Sequence, residues 1–225
     1  MSTIDLSAPQ PSSEFGLVAL DLYRAIHKGI RAELFSVVLA AATLDPDDDL
    51  GRADLAGQVR DVVAVLESHA EHEDVVIGPA LAAHLPDLAV DVQADHRTLD
   101  GRTAALVELA SASAAAPASE RRRLGHLLHL DLAAFTGAYL EQQDLEERVV
   151  MPALERTLGL DAVSAMHQQI VGSIPPDEMA RSLAFMIPAM NIEDRVELLG
   201  GMQAGAPPEV FAGVWGLVGG VLAPA

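Results

Sequence analysis

Apolar residues along the first two thirds of this chain recur with a helical period, in four long blocks. In the first block, Leu20, Tyr23, His27, Ile30 and Leu34 fall on one face at i, i+3, i+4, i+7 spacing. The second carries Val62, Val65, Leu66, His69, Glu73 and Val76, and the third Val92, His96, Leu99, Thr103 and Leu106. In the fourth the stripe is Phe135, Tyr139, Gln142, Glu146 and Val149. Punctuation between the blocks sets their limits. A first helix is expected from about Glu14 to Thr43, capped by Ser12 or Ser13 and stopped by the acidic run Asp45–Asp49. A second runs from about Arg52 past Gly78, where Pro79 bends or ends it. Pro86 opens a third that reaches about Ser111, and the run SASAAAPAS connects it to a fourth over about Ser119–Leu158, disturbed near Pro152. Long helices on short connections predict an all-α, up-down-up-down four-helix bundle.

Beyond Leu160 the pattern changes. Charge thins and Met and Pro become frequent, with shorter helices predicted near Asp161–Val171, Asp177–Met190, Ile192–Gln203 and Glu209–Leu222. They are too apolar to stand free, so they should pack on the bundle or on a partner. The organisation read from the sequence is a flexible tail over 1–13, a bundle over 14–158 and a helical extension over 159–225.

Each apolar stripe also carries side chains that apolar surroundings penalise. A buried charge without a partner costs several kcal/mol in practice. Histidines and carboxylates converging from the helices of a bundle are the usual sign of a bound transition-metal pair. Position along the chain supports convergence. His27 and His69 lie equally far from the acidic turn near position 48, and Glu73 and His96 are each about 12 residues from the junction near Pro86. At 1.5 Å of rise per residue, the first three helices present these groups at one level. Glu146 matches His96 less well about the SASAAAPAS connection. His72, beside the His69/Glu73 pair, fits a ligand, a group orienting the ligands or a rim residue, and the orienting role suits its position best. His84, His126, His129 and His167 read as structural or surface residues.

Composition narrows the chemistry. The chain has no cysteine, which excludes disulfides, thiolate-bound zinc, iron–sulfur clusters and a cysteine nucleophile. A formal net charge of −19 opposes binding to nucleic acid or anionic membranes. The N-terminus lacks the basic and apolar regions of a signal peptide, and Val210–Ala223 is too short and glycine-rich for a membrane span. A soluble, cytoplasmic chain is therefore expected.

The segments SHAEHEDVVIGPAL and YLEQQDLEERVVMPALE resemble the second- and fourth-helix motifs of the hemerythrin-like, or HHE cation-binding, family. The resemblance covers about Glu14–Leu158. It implies a four-helix bundle around a non-haem di-iron centre, with His27 and His69 serving one iron, His96 the other, and Glu73 and Glu146 bridging. In the family a histidine precedes the fourth-helix carboxylate by one turn, and here that residue is Gln142. An amide is a weaker iron ligand than imidazole. Asp100, one turn after His96, and the Tyr139 phenolate are candidates to substitute in part. The expectation is a lopsided centre, with one firmly and one loosely held metal.

Three functions compete at this point. One is a non-haem iron protein handling O2, peroxide or nitric oxide, and if an enzyme, an oxidoreductase consuming peroxide or O2. Another is a regulatory or interaction module with a structural or degenerate metal site, meeting a protein partner or a second copy through the extension. The third is a metal-free bundle.

Overall fold

The computed structural model describes residues 18–222. Among these, the chain is all-α, with helices and no strand. The first helix, α1 (Arg24–Thr43), starts later than the periodicity predicts. The Asp21 side chain accepts hydrogen bonds from the Tyr23 and Arg24 backbone N–H groups at 3.0 and 2.9 Å. It thereby satisfies two of the donors a helix start leaves open, while residues 18–23 remain outside the helix. The predicted serine cap, Ser12 or Ser13, lies outside the described residues. Next, α2 (Asp49–Val76) begins earlier than predicted, because the Asp48 side chain caps it by accepting from Gly51 N–H at 2.9 Å.

Pro79 bends the chain rather than stopping it. Ile77 keeps helical dihedrals, and Pro79 falls in the first turn of α3 (Gly78–His84), where a missing N–H costs nothing. Pro86 opens α4 (Pro86–Ala114), as predicted, and that helix runs one turn further than expected. After the Ala115–Glu120 connection come α5 (Arg121–Leu145), a π-helical turn over Glu146–Val150, and α6 (Met151–Leu158). Pro152 explains that turn. It has no N–H to offer a carbonyl four residues back, and Met151 N–H reaches five back, to Glu146. The extra residue shifts the buried face, so Val150 is fully buried and Val149 is exposed. The predicted stripe placed Val149 inside; the widened turn puts its neighbour there instead.

α1 packs on α2 and α5, and α4 packs on the same two helices, which closes a ring of four. Its interior is layered. One apolar cluster includes Ile30, Leu66, Leu99, Phe135 and Tyr139. A second includes Tyr23, Ile77, Val92, Val150 and Leu154. Along every one of the four helices, the predicted ligand positions fall between these clusters, so the polar groups form a layer with apolar packing on both sides.

The C-terminal third folds back on this ring. Gly159, at φ 83°, makes the left-handed turn out of α6 that a side chain would resist. α7 (Leu160–Ser173) then packs on α6 and α2, and α8 (Pro176–Ala189) lies along α1. α9 (Ile192–Gly205) and α10 (Pro208–Val221) complete the described chain, with α10 against α8 and α9. All four match their predicted limits to within two residues. Lys28 and Arg24 on α1 pair with Asp194 on α9, and Arg24 also meets Glu197 at 2.8 Å.

The α1–α8 crossing is close because residue 29 has no side chain. A Cβ there would sit 2.6 Å from the Phe185 ring and 3.1 Å from the Met186 Cα. Gly29→Ala is therefore expected to destabilise the fold by about 1–3 kcal/mol through overpacking. A thermal melt checks it; an unchanged midpoint would mean that α8 slides freely over α1. No helix among the described residues is long and apolar enough to cross a membrane.

Candidate metal centre

Donor atoms of His27, His69, Glu73 and Glu146 all lie within 4.8 Å of one another, although these residues come from two helices and the π-turn. His27 Nε2 is 3.1 Å from His69 Nε2 and 3.5 Å from Glu146 Oε2. His69 Nε2 is 3.1 Å from Glu73 Oε1. His96, from α4, adjoins this group on the other side, its Nε2 3.4 Å from Glu73 Oε2 and 3.5 Å from Glu146 Oε1. Each carboxylate thus turns one oxygen toward the His27/His69 lobe and the other toward His96.

Glu146 joins both lobes despite its poorer match along the chain.

Outer hydrogen bonds fix the imidazoles. His27 Nδ1 donates to Glu147 Oε1 at 2.9 Å, and Arg31 holds the same oxygen at 2.8 Å. His96 Nδ1 donates to Asp74 Oδ1 at 3.0 Å. Both rings therefore direct Nε2 inward. Neither oxygen of Glu73 has a hydrogen-bond donor, and neither does Glu146 Oε2, though all three are buried. Across the His27/His69 lobe two imidazole Nε2 atoms stand 3.1 Å apart beside carboxylate oxygens that have no donor. Such an arrangement repels itself unless a cation or a proton stands between, and an orphaned buried polar group costs about 1–3 kcal/mol. The residues present fit a bound metal ion.

Without a cation, the protons distribute unevenly. Burial lowers His69 to about 4, against the pull of Glu73. Burial would lower His96 too, but its contacts with Glu146 and Glu73 lift it to about 11. Glu146 is raised well above the carboxylate range by burial and by neighbouring Glu73. Glu73 is lowered in spite of its burial, because His69 and His96 stand beside it.

Gln142 separates the two lobes chemically. Its amide nitrogen lies 3.2 Å from His96 Nε2 and also donates to Glu146 Oε1. The amide thus supplies to the His96 lobe the positive end that a cation would supply, while the His27/His69 lobe has nothing equivalent.

The remaining predicted residues lie around this core. Tyr139 is buried against Phe135, with its hydroxyl held well above its usual pKa by burial, then by Glu73 and Glu146. Asp100 is exposed and lines an open groove beside His96. His72 does not orient a ligand: its Nδ1 donates to the Ser68 carbonyl of its own helix, at 2.7 Å. That backbone acceptor, one turn earlier, takes the proton that a ligand carboxylate would have accepted. His84, His126, His129 and His167 fall outside the cluster.

Sequence reasoning missed Asp74 and Glu147, and it left Tyr23 on a stripe without a role. Tyr23 is buried with its ring 5.2 Å from that of His27. A signal for the two acids existed, since each directly follows a ligand carboxylate, in Glu73-Asp74 and Glu146-Glu147. Orienting partners of this kind are typically worth ~10–100-fold in metal affinity. Glu147→Ala should cost that much in affinity at the His27 lobe, because the lost carboxylate is clamped by Arg31 and only 20 % exposed. Asp74→Ala should cost less, since Asp74 is 56 % exposed and water can replace it. Competition against a chelator of known affinity measures both. Equal losses would show that the clamp does not matter.

A four-helix ring with a buried layer of imidazole and carboxylate defines a metal-binding helical protein. The chain belongs to the hemerythrin HHE cation-binding domain family, which it matches over residues 18–154. Neither the curated proteins nor the solved structures compared gave a match.

Proposed function

We propose that this chain is a non-haem iron protein that handles O2, peroxide or nitric oxide at an asymmetric di-iron centre. The observation carrying this reading is the pair of carboxylates, Glu73 and Glu146, each sharing its oxygens between two imidazole-bearing lobes. Bound ferrous iron supplies electrons to a small oxidising ligand. In this reading the protein holds the metal at His27, His69, Glu73 and Glu146, and a second, looser ion at His96. His96 shares that looser lobe with Gln142.

A small pocket adjoins the centre on the His96 side. It holds about 10 Å³, roughly the space one water needs, and Tyr23, Glu73, Glu146 and His96 line it together with Ile77, Leu81 and Val92. Asp74 and Gln93, both exposed, complete its rim, so a small ligand can reach it from the groove beside His96. Tyr23, kept protonated by burial and then by Glu73 and Glu146, adds a hydroxyl at that edge.

Iron quantification on the purified chain, followed by O2- and peroxide-consumption assays on the anaerobically loaded ferrous form, tests the reading. Retention of one to two irons per chain with oxidant consumption is expected. No retained iron after reconstitution would leave a metal-free bundle. Retained iron that is inert to all three ligands would favour the second reading.

That second reading is a regulatory or interaction module with a structural or degenerate metal site. Gln142 favours it, and so do the apolar residues that α9 and α10 leave open, Ile192, Val196, Val210 and Trp215, each at least half exposed.

A further inference from the structure

Between α2 and the α7–α8 pair runs a groove of about 1170 Å³ whose floor includes His69. It is larger than the groove of about 460 Å³ that meets His96 on the Asp74 side. One wall belongs to the bundle. The extension builds the other, with Ile174, Pro175, Ala184 and Phe185. Ser68 Oγ donates to Glu178 on α8, which ties the two walls together immediately beside His69.

The lining is charged in one sense. Glu33, Asp61, Glu67, Glu71 and Glu178 face the groove, with Arg181 as the basic side chain among the charged groups there. Acidic walls over a low-dielectric floor attract cations and repel anions, and such focusing raises on-rates by about 10–10³-fold. At the floor, His69 Nε2 is already one of the clustered donor atoms. One turn behind it, both Glu73 oxygens are buried without a donor.

We infer that this groove is the route by which a divalent cation reaches the centre, and that the C-terminal extension exists in part to build it. The inference rests on the metal reading above. It adds a direction of entry, at His69 rather than His96, and a selectivity for positive charge. Metal then meets the His27/His69 lobe first and the amide-plugged His96 lobe last.

The test follows uptake of ferrous iron by the full-length chain under anaerobic conditions, by stopped-flow competition with a coloured chelator. Ser182→Trp on α8 narrows the groove without touching any candidate ligand, and Gln93→Trp does the same at the His96 opening. Ser182→Trp should slow uptake at least about tenfold with unchanged final stoichiometry, and Gln93→Trp should leave the rate unchanged. Glu67→Lys with Glu71→Lys should also slow uptake, and salt should slow the unsubstituted chain by screening the walls. Circular dichroism and a thermal melt confirm that each variant folds. The opposite pattern, with Gln93→Trp slow and Ser182→Trp normal, overturns the route alone, as does a rate indifferent to both salt and charge reversal. If the unsubstituted chain takes up no iron at equilibrium, the metal reading itself falls, and the route with it.

Discussion

Glu146→Leu is expected to strip metal from both lobes while leaving the stability of the metal-free fold little changed. Glu146 is fully buried and directs one oxygen to His27 and the other to His96, so neither lobe keeps its full set without it. Affinity should fall by more than the ~10–100-fold typical of orienting partners, because a donor itself is lost. Stability without metal should change little. Loss of Glu146 Oε2, which has no hydrogen-bond donor, removes a penalty of about 1–3 kcal/mol, while loss of Oε1 leaves the Gln142 amide without its acceptor at a cost of the same order. Thermal melts with and without ferrous iron, beside iron quantification, read both effects. A variant that unfolds without metal would make Glu146 a structural residue, and one that still binds two irons would remove it from the centre.

Gln142→His should have the second largest effect, with the opposite sign. The amide nitrogen of Gln142 stands 3.2 Å from His96 Nε2 and donates to Glu146, occupying the lobe it would have to ligate. An imidazole at the same place offers a lone pair instead of two N–H donors. Metal at the His96 lobe should then bind ~10–100-fold more tightly, and iron per chain should approach two. Affinity at the His27/His69 lobe should change little. Unchanged stoichiometry and affinity would mean that other residues complete the second lobe, and the bridging role proposed for Glu146 would go with it.

Much of this site was legible before any coordinates. Periodicity alone placed His27, His69, Glu73, His96, Gln142 and Glu146 on buried faces, because a helix repeats every 3.6 residues regardless of what it packs against. Proline positions fixed most of the helix limits for an equally local reason, the missing N–H. The extension was also readable, since its four short helices are bounded by Pro175-Pro176, Pro188 and Pro207-Pro208.

Periodicity could not supply two kinds of feature, local competition for backbone hydrogen bonds and contacts between distant segments. The start of α1 moved to Arg24 because the Asp21 side chain satisfies the N–H groups there, a competition that periodicity does not register. Val149 and Val150 exchanged places because the π-turn before Pro152 inserts one residue into the face. Asp74 and Glu147 gained a role only when His96 and His27 arrived from other helices to donate to them. His72 lost one because a carbonyl on its own helix took its proton. The sequence by itself determined most of the side chains buried on each helix, since that follows from a repeat along one element, which the π-turn interrupts at Val149. The tertiary structure decided which of them face one another, which oxygen serves which lobe, and where the centre opens to solvent, since those depend on the tilt, lean and packing of helices far apart in the chain.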